Sequence, residues 1–495
     1  MASFYIQSNK GNHYHFNSDT GVFVLISSII SKIDSFIKKG SSESEIFTAI
    51  SSKWRLTPNE FKFYLNQYFF LEKSGAKYVI DEKYDMQLTP QIIEKALSNL
   101  QQITFEVTDA CNLKCKYCGY GELYQNYDER TNKNLSIKQA KNLIKYLSNY
   151  WNKKENLSEG EIIYISFYGG EPLLNMSFIK KIVQLFDNNN IKRPIRYSMT
   201  TNAILLKRHI DYLIAHDFQL LISLDGNKYN NSYRVSPNGK SSYDIVFSNM
   251  KYIQKEYHQF FKDNIEFNSV IHDRNSVSDV LNFFKNEFSK TPSIGELNQN
   301  GIKIDKKDEF ISIFKDISQN IKDSTIEKAI AKRIKDKDPF FHSLTSFIHN
   351  YNIMSYSDYN TLFSNKKEIQ RLPTGTCIPF SKKVFITVNG KILPCERIGQ
   401  KHSLGHVTDE RVEINLNKIC EQYNSWFMPI SRQCHTCYIR RSCQQCIFNL
   451  FDINKPFCTD YMNKERFTIF LKRVIDFFER NPQSYRYIMK DIIIR

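Results

Sequence analysis

A chain of 495 residues exceeds what one ordinary core supports, so roughly two to four domains are expected. Hydrophobic residues make up 41%, enough for a globular protein, and no window reaches the apolar length of a membrane span. The formal charge of +16 raises nucleic acid as a partner, but Lys and Arg are scattered among Asp, Glu and Asn, which reads as a solvated surface or as a field attracting an acidic peptide.

The first residues, Met1-Ala2-Ser3-Phe4-Tyr5, show no basic region followed by an apolar segment, so no signal peptide and a cytoplasmic protein are expected. Residues 1 to about 88 read as a small independent unit. Phe4-Tyr5-Ile6 and Tyr14-His15-Phe16 suggest a hairpin, with turn residues over Asn17–Gly21. Three helical patterns follow. Ile29, Ile33, Phe36 and Ile37 recur at helical spacing until Gly40; Ser42 with Glu45 and Thr57 with Glu60 form capping boxes. Strands followed by three short helices suggest a winged helix-turn-helix. No helix here presents Arg and Asn on one face, so DNA readout is the weaker use and peptide capture along a strand edge the stronger. A structural cap carries equal weight.

Pro90–Leu97 reads as a linker helix. From about 100 to 290, strands expected at Ile103–Val107, Ile162–Phe167, Arg196–Thr200, Leu220–Leu224 and Ile265–Ile271 alternate with helices such as Ile137–Tyr150 and Phe178–Phe186. Such alternation implies a parallel sheet with helices outside and functional groups at the C-terminal strand ends. Residues 291–372 suggest charged amphipathic helices at Lys306–Ile321 and Thr325–Lys335, bridging to a cysteine-rich region at 373–462. A closing amphipathic helix over Arg466–Phe478 is expected to pack back on the fold.

There are 11 cysteines, clustered at 111–118 and between 377 and 458, and an odd, clustered count argues for metal rather than disulfides. Cys111, Cys115 and Cys118 have Cys-x3-Cys-x2-Cys spacing directly after a strand. Structural zinc takes four protein ligands. An iron–sulfur cubane on three cysteines leaves one iron without a protein ligand. A zinc knuckle is the other reading of the spacing. Tyr168-Gly169-Gly170-Glu171-Pro172 follows the next strand; its glycines allow close backbone approach, although a plain turn would also use them. Then come Thr200-Thr201-Asn202-Ala203, Leu221-Ile222-Ser223-Leu224-Asp225-Gly226 and Arg234. A hydroxyl can donate and accept at a sugar, and a guanidinium can pair two-pronged with a carboxylate. Downstream stand Cys377, Gly390-x4-Cys395, Cys434-x2-Cys437-x5-Cys443-x2-Cys446 and Cys458, a pattern that suits iron–sulfur clusters or a zinc ribbon.

These motifs, from about residue 100 to 460, resemble the radical S-adenosylmethionine (SAM) superfamily, and their later part resembles the SPASM branch of peptide maturases and anaerobic sulfatase maturases. The resemblance implies an α/β fold with a partial (β/α)6 barrel. It implies a SAM-binding 4Fe–4S cluster on Cys111, Cys115 and Cys118, with Tyr117 beside it. Gly169, Gly170 and Glu171 would meet the methionine amino group, Ser223 the ribose and Arg234 the carboxylate. Ala203 departs from the glycine common at its place. Two auxiliary 4Fe–4S clusters are implied, one on Cys434, Cys437, Cys443 and Cys458, the other on Cys377, Cys395 and Cys446. The Cys443–Cys446 gap is one residue short of the usual pattern, and the second group lacks a fourth cysteine. Cys420 could fill that place or be a plain buried thiol; an open iron could bind a substrate thiolate. Glu396 stands where sulfatase maturases carry an aspartate as proposed base, with an ion pair to Arg397 as the ordinary alternative. The N-terminal unit loosely resembles leader-peptide recognition domains. The expected function is radical modification of a ribosomal precursor peptide by a thioether, carbon–carbon or carbon–oxygen cross-link. Partners would be that peptide, through its leader, and a reductase, flavodoxin or ferredoxin as electron donor. Alternatives are formylglycine formation in a sulfatase and a zinc-stabilised, basic nucleic-acid-binding protein.

Overall fold

The computed structural model describes residues 3–18, 21, 23–73, 81–153, 155–158, 160–188, 191, 193–315, 339–351, 368–450, 453 and 455–491. The Asp19 and Thr20 part of the first turn, residues 316–321 of the helix expected over Lys306–Ile321 and all of that over Thr325–Lys335 lie outside them, and the described part of the first of these helices runs Lys307–Ile313.

Three antiparallel strands open the chain: β1 (Ser3–Gln7), β2 (His13–Asn17) and β3 (Phe23–Ile26), in the order β1-β2-β3. The helices Ser28–Ile37, Glu43–Trp54 and Pro58–Lys73 follow. Their starts are local chemistry. Ser42 and Glu45 satisfy each other's backbone N–H groups, and Thr57 and Glu60 do the same. Ile29, Ile33, Ile46, Ile50, Phe61 and Leu65 close a small core between these helices.

This unit does not close its own sheet. Phe4, Ile6 and Phe16 pack against Phe347 of the helix Pro339–Tyr351 and against Phe467, Phe470 and Leu471 of the helix Lys464–Arg480. Asn9 reinforces the joint, its backbone N–H and Nδ2 both reaching Asp476 (2.9 and 2.6 Å). An independent unit over residues 1–88 leaves out this shared core. The reason is physical: the strands have two apolar faces, and the three helices cover only one.

A short strand β4 (Asp81–Lys83) and the helix Pro90–Ser98 lead into the main sheet. Its parallel part is β5 (Gln102–Thr108), β6 (Ile163–Gly169), β7 (Ile195–Thr201), β8 (Gln219–Ser223), β9 (Ile265–Ile271) and β10 (Ser293–Glu296), each beside its predecessor. The intervening helices Ile137–Trp151, Met176–Asp187, Leu206–Ala215, Tyr243–Glu256 and Val277–Phe288 cover the outer face. Six parallel strands with helices outside make an open (β/α)6 barrel. Alternation assigns the two faces: Ile103, Phe105 and Val107 of β5 join the helical core, while Gln102 and Thr104 line the interior.

After β11 (Glu368–Gln370), which pairs with β4, the chain returns to the barrel. β12 (Lys383–Ile386) adds in parallel beside β5, and β13 (Lys391–Leu393), β14 (Gly405–Val407) and β15 (Val412–Ile414) extend the same sheet as antiparallel strands. The cysteine-rich region is thereby fixed to the first barrel strand. Among the described residues no helix is long and apolar enough to cross a membrane.

Candidate radical site and auxiliary cysteines

The three-cysteine loop leaves the C-terminal end of β5. It is tied to the segment after β8 by Lys114 N–H donating to the Val235 carbonyl (2.7 Å) and Lys116 N–H to that of Tyr233 (3.1 Å). All the cysteines are free thiols. Burial pushes Cys115 up to about 12 against the pull of Arg234, and the charges of Cys118 and Cys111 raise it further. Cys111 is likewise raised, first by burial. The three sulfurs thus lie close enough to feel one another's charge. Donors already point at them: Leu113 N–H and Asn202 Nδ2 toward Cys111 Sγ (3.4 and 3.8 Å), and Arg130 Nη2 toward Cys118 Sγ (3.5 Å). Such donors favour thiolates over thiols. Among the described residues no three His, Cys, Asp or Glu side chains converge on a single ion. A cubane has a different requirement, because each thiolate binds its own iron atom. Three adjacent free thiols facing cationic and amide donors fit that group.

Gly169 and Gly170 are explained by the same loop. A Cβ on Gly170 would stand 2.0 Å from the Ala110 carbonyl oxygen, and one on Gly169 would stand 2.3 Å from that of Thr108, at a φ of +134°. Gly170 N–H donates to Thr108 O (2.8 Å) and Glu171 N–H to Ala110 O (2.9 Å). The glycines therefore interlock the end of β6 with the backbone that carries Cys111. Glu171 is buried, and its carboxylate accepts from Leu173 N–H (3.1 Å), the Thr201 hydroxyl (2.6 Å) and Asn202 N–H (2.8 Å). Burial pushes it up to about 7 despite those donors. Its carboxylate thus orients Asn202, whose amide reaches Cys111. Ala203, where the resemblance has glycine, adopts φ +62°, a backbone conformation that costs an L-residue roughly 1–2 kcal/mol.

At the end of β8, Ser223 is half-buried and pairs across to Asn268. Arg234 is not free: its Nε and Nη2 donate to both oxygens of Asp225 (2.9 and 3.0 Å), and both side chains are buried. Asp225 also accepts from Val270 N–H (3.0 Å) and from the Tyr117 hydroxyl. Burial opposes ionisation of Asp225, yet Arg234 and the hydrogen bonds hold it down at about 2. Tyr117 is consequently turned into the fold, against Tyr233 and His272. The sequence motifs did not announce this clamp or the roles of Arg130 and Asn202; a carboxylate between Ser223 and Arg234 was the one signal.

The downstream cysteines fall into two groups. Cys434, Cys437, Cys443 and Cys458 line one small cavity and feel one another's charge. Burial pushes Cys434 up to about 12 and Cys443 to about 11. Cys395, Cys446 and Cys377 form the other, coupled Cys395 to Cys446 and Cys446 to Cys377. Cys420 is buried in the helix Leu416–Thr436 with Glu421 as its charged neighbour. Glu396 forms its ion pair with Lys383 of β12 (2.7 Å), and Arg397 adds its charge to the same effect. Burial works to raise Glu396, but Lys383 overcomes it and the net shift is downward. A cavity of about 340 Å³ lies inside the barrel, lined by Gln102, Ser166, Ser198, Gln219, Lys383 and Glu396. Its polar wall is self-bonded, Gln102 Nε2 donating to Ser166 (2.6 Å), which meets Ser198 (2.5 Å).

Residues 105–284 match the family model described as the Radical SAM superfamily, and the chain carries a radical SAM domain. An uncharacterised protein of Methanocaldococcus jannaschii is 37% identical over 162 residues, 32% of this chain and 51% of that protein. The radical SAM cyclopropyl synthase TigE of Paramaledivibacter caminithermalis is 24% identical over 320 residues, 62% of this chain and 63% of its own. The chain thus spans between half and two thirds of these relatives. Among solved structures, native anSMEcpe with bound AdoMet and Kp18Cys peptide superposes with a TM-score of 0.51 at 17% identity, over 79% of this chain and 99% of that one. That agreement is one of fold.

Proposed function

We propose that the chain is a cytoplasmic radical SAM enzyme that modifies a ribosomally made precursor peptide, with a thioether, carbon–carbon or carbon–oxygen cross-link as product. The observation that carries this reading is the interlock of the three-cysteine loop with Gly169-Gly170-Glu171, beside the Asp225–Arg234 clamp. When bound, the cluster and SAM together supply a 5′-deoxyadenosyl radical that takes a hydrogen atom from the substrate. The chain's own residues do the rest. Cys111, Cys115 and Cys118 would hold the first cluster, and Leu113, Asn202 and Arg130 hold their sulfurs in place. Arg234 keeps outward N–H groups for a carboxylate while Asp225 fixes its plane. The two downstream groups would hold auxiliary clusters, supplied with electrons by a reductase, flavodoxin or ferredoxin.

Peptide capture is supported by the outer strand β3. It ends its sheet, exposes Val24 and Leu25, and borders an apolar cavity of about 550 Å³ lined by Phe23, Phe347, Ile475, Phe478 and Tyr485. An extended leader can add to such an edge. A carbon–carbon outcome suits a relative named as a cyclopropyl synthase. Formylglycine formation is less well supported, because Glu396, in the place of the proposed base, is engaged by Lys383, which lowers its pKa and so its strength as a base. The test is anaerobic incubation of reconstituted protein with reductant, SAM and the short peptides encoded beside its gene. A peptide lighter by two hydrogens, formed with 5′-deoxyadenosine, is expected. Deoxyadenosine formation with every such peptide left unchanged would overturn the peptide assignment.

A further inference from the structure

The helix Leu416–Thr436 carries Tyr423, which is 0% exposed. Its ring is fixed by Trp426, Phe427 and Phe448 at centroid distances of 5.4, 5.9 and 5.8 Å. Its hydroxyl has no hydrogen-bond partner among the described residues. A buried tyrosine hydroxyl ordinarily finds one. Phe448, packed edge-on against this ring, stands two residues from Cys446 and packs in one cluster with Cys395, and the oxygen feels the charge of Cys446, Cys395 and Cys377, the three-cysteine group that lacks a fourth ligand. Cys420, on the same helix, has Glu421 as its charged neighbour. Thus the orphaned donor and the incomplete ligand set share one place.

We propose that the Tyr423 oxygen is the fourth protein donor of the auxiliary site built by Cys377, Cys395 and Cys446. Tyrosine oxygen is an established ligand to iron in haem proteins. An iron–oxygen bond forms as the phenol proton leaves to solvent, and no electron moves. The helix and the three surrounding rings hold the oxygen without rotation, so little freedom is lost on binding. The consequence is functional. This iron is closed to a substrate thiolate, and the auxiliary site carries electrons rather than binding the peptide. The inference rests on the iron–sulfur reading of these cysteines.

The test uses the full chain with Cys111, Cys115 and Cys118 replaced by Ala, reconstituted anaerobically so that only auxiliary iron remains. Phenolate vibrations are expected in its resonance Raman spectrum. Tyr423→Phe in this background is expected to abolish them and to lower the iron content by about one per chain. The melting temperature of the apo-protein is expected to be the same for Tyr423→Phe as for its parent, so that the loss of iron is not a loss of fold. Unchanged iron and an unchanged spectrum in Tyr423→Phe would overturn the role of Tyr423 while leaving the cluster intact. If adding Ala at Cys377, Cys395 and Cys446 removes no iron, the cluster reading itself falls.

Discussion

Gly170→Ala probes the interlock that holds the first cysteine. The new Cβ would meet the Ala110 oxygen at 2.0 Å, the Ala110 carbonyl carbon at 2.5 Å and the Asp109 oxygen at 2.7 Å, all backbone atoms that no side-chain rotation can move. Contacts below about 3 Å are not tolerated in folded proteins, so the two backbones must part by about 1 Å. The Glu171 N–H bond to the same Ala110 oxygen, now 2.9 Å, stretches with them. Overpacking of this kind costs roughly 1–3 kcal/mol, and a strained hydrogen bond adds about 1 kcal/mol. Ala110 precedes Cys111, so the displacement arrives at the first thiol. A misplacement of about 1 Å at a reacting centre costs on the order of 10²-fold in rate. The assay is anaerobic reductive cleavage of SAM to 5′-deoxyadenosine, with iron content and melting temperature measured alongside. A fall of about 10²-fold is expected. A rate within a few-fold of wild type with unchanged melting would refute the interlock.

Other consequences follow from the same geometry. Asp225→Asn leaves Arg234 buried without its anion and should destabilise the protein by roughly 3–5 kcal/mol, read by denaturant unfolding of the apo-protein. Asp225 titrates near 2 when folded against an ordinary 3.8, so its stabilisation is complete above about pH 4 and is lost as pH falls toward 2, a change of roughly 2–3 kcal/mol. Unfolding curves for Asp225→Asn should therefore lack that acid limb; an identical limb in wild type and variant would contradict the assignment. Lys383→Met leaves the half-buried carboxylate of Glu396 without its cation and should cost roughly 1–3 kcal/mol by the same unfolding assay. Deleting residues 1–88 uncovers Phe347, Phe467, Phe470 and Leu471, so an aggregated product is expected on size-exclusion chromatography, and Leu25→Lys is the cleaner probe of leader binding.

The parallel core was legible because two periods alternate in the sequence. Strands β5 to β9 lie within a residue or two of their expected bounds, and the helix expected at Ile137–Tyr150 runs Ile137–Trp151. Short strands were not legible. β3 has four residues, and β12 is recruited by β5 from far along the chain, which no local pattern announces. The grouping of the downstream cysteines came from the family resemblance rather than from spacing. What spacing could not reveal was which partners the polar residues choose. Nothing local announces that Arg234 rests on Asp225, or that β12 brings Lys383 against Glu396. Tyr423 is one of 29 tyrosines, and nothing in the sequence announces its orphaned hydroxyl.

The central claim is that Cys111, Cys115 and Cys118 hold the cluster from which radical chemistry starts. It is tested most directly by measuring 5′-deoxyadenosine from SAM and reductant, anaerobically, for wild-type protein and for the variant with all three replaced by Ala. The account predicts steady formation by the wild type and none by the variant, whose downstream cysteines still bind iron. Deoxyadenosine formation by the variant at the wild-type rate would contradict it.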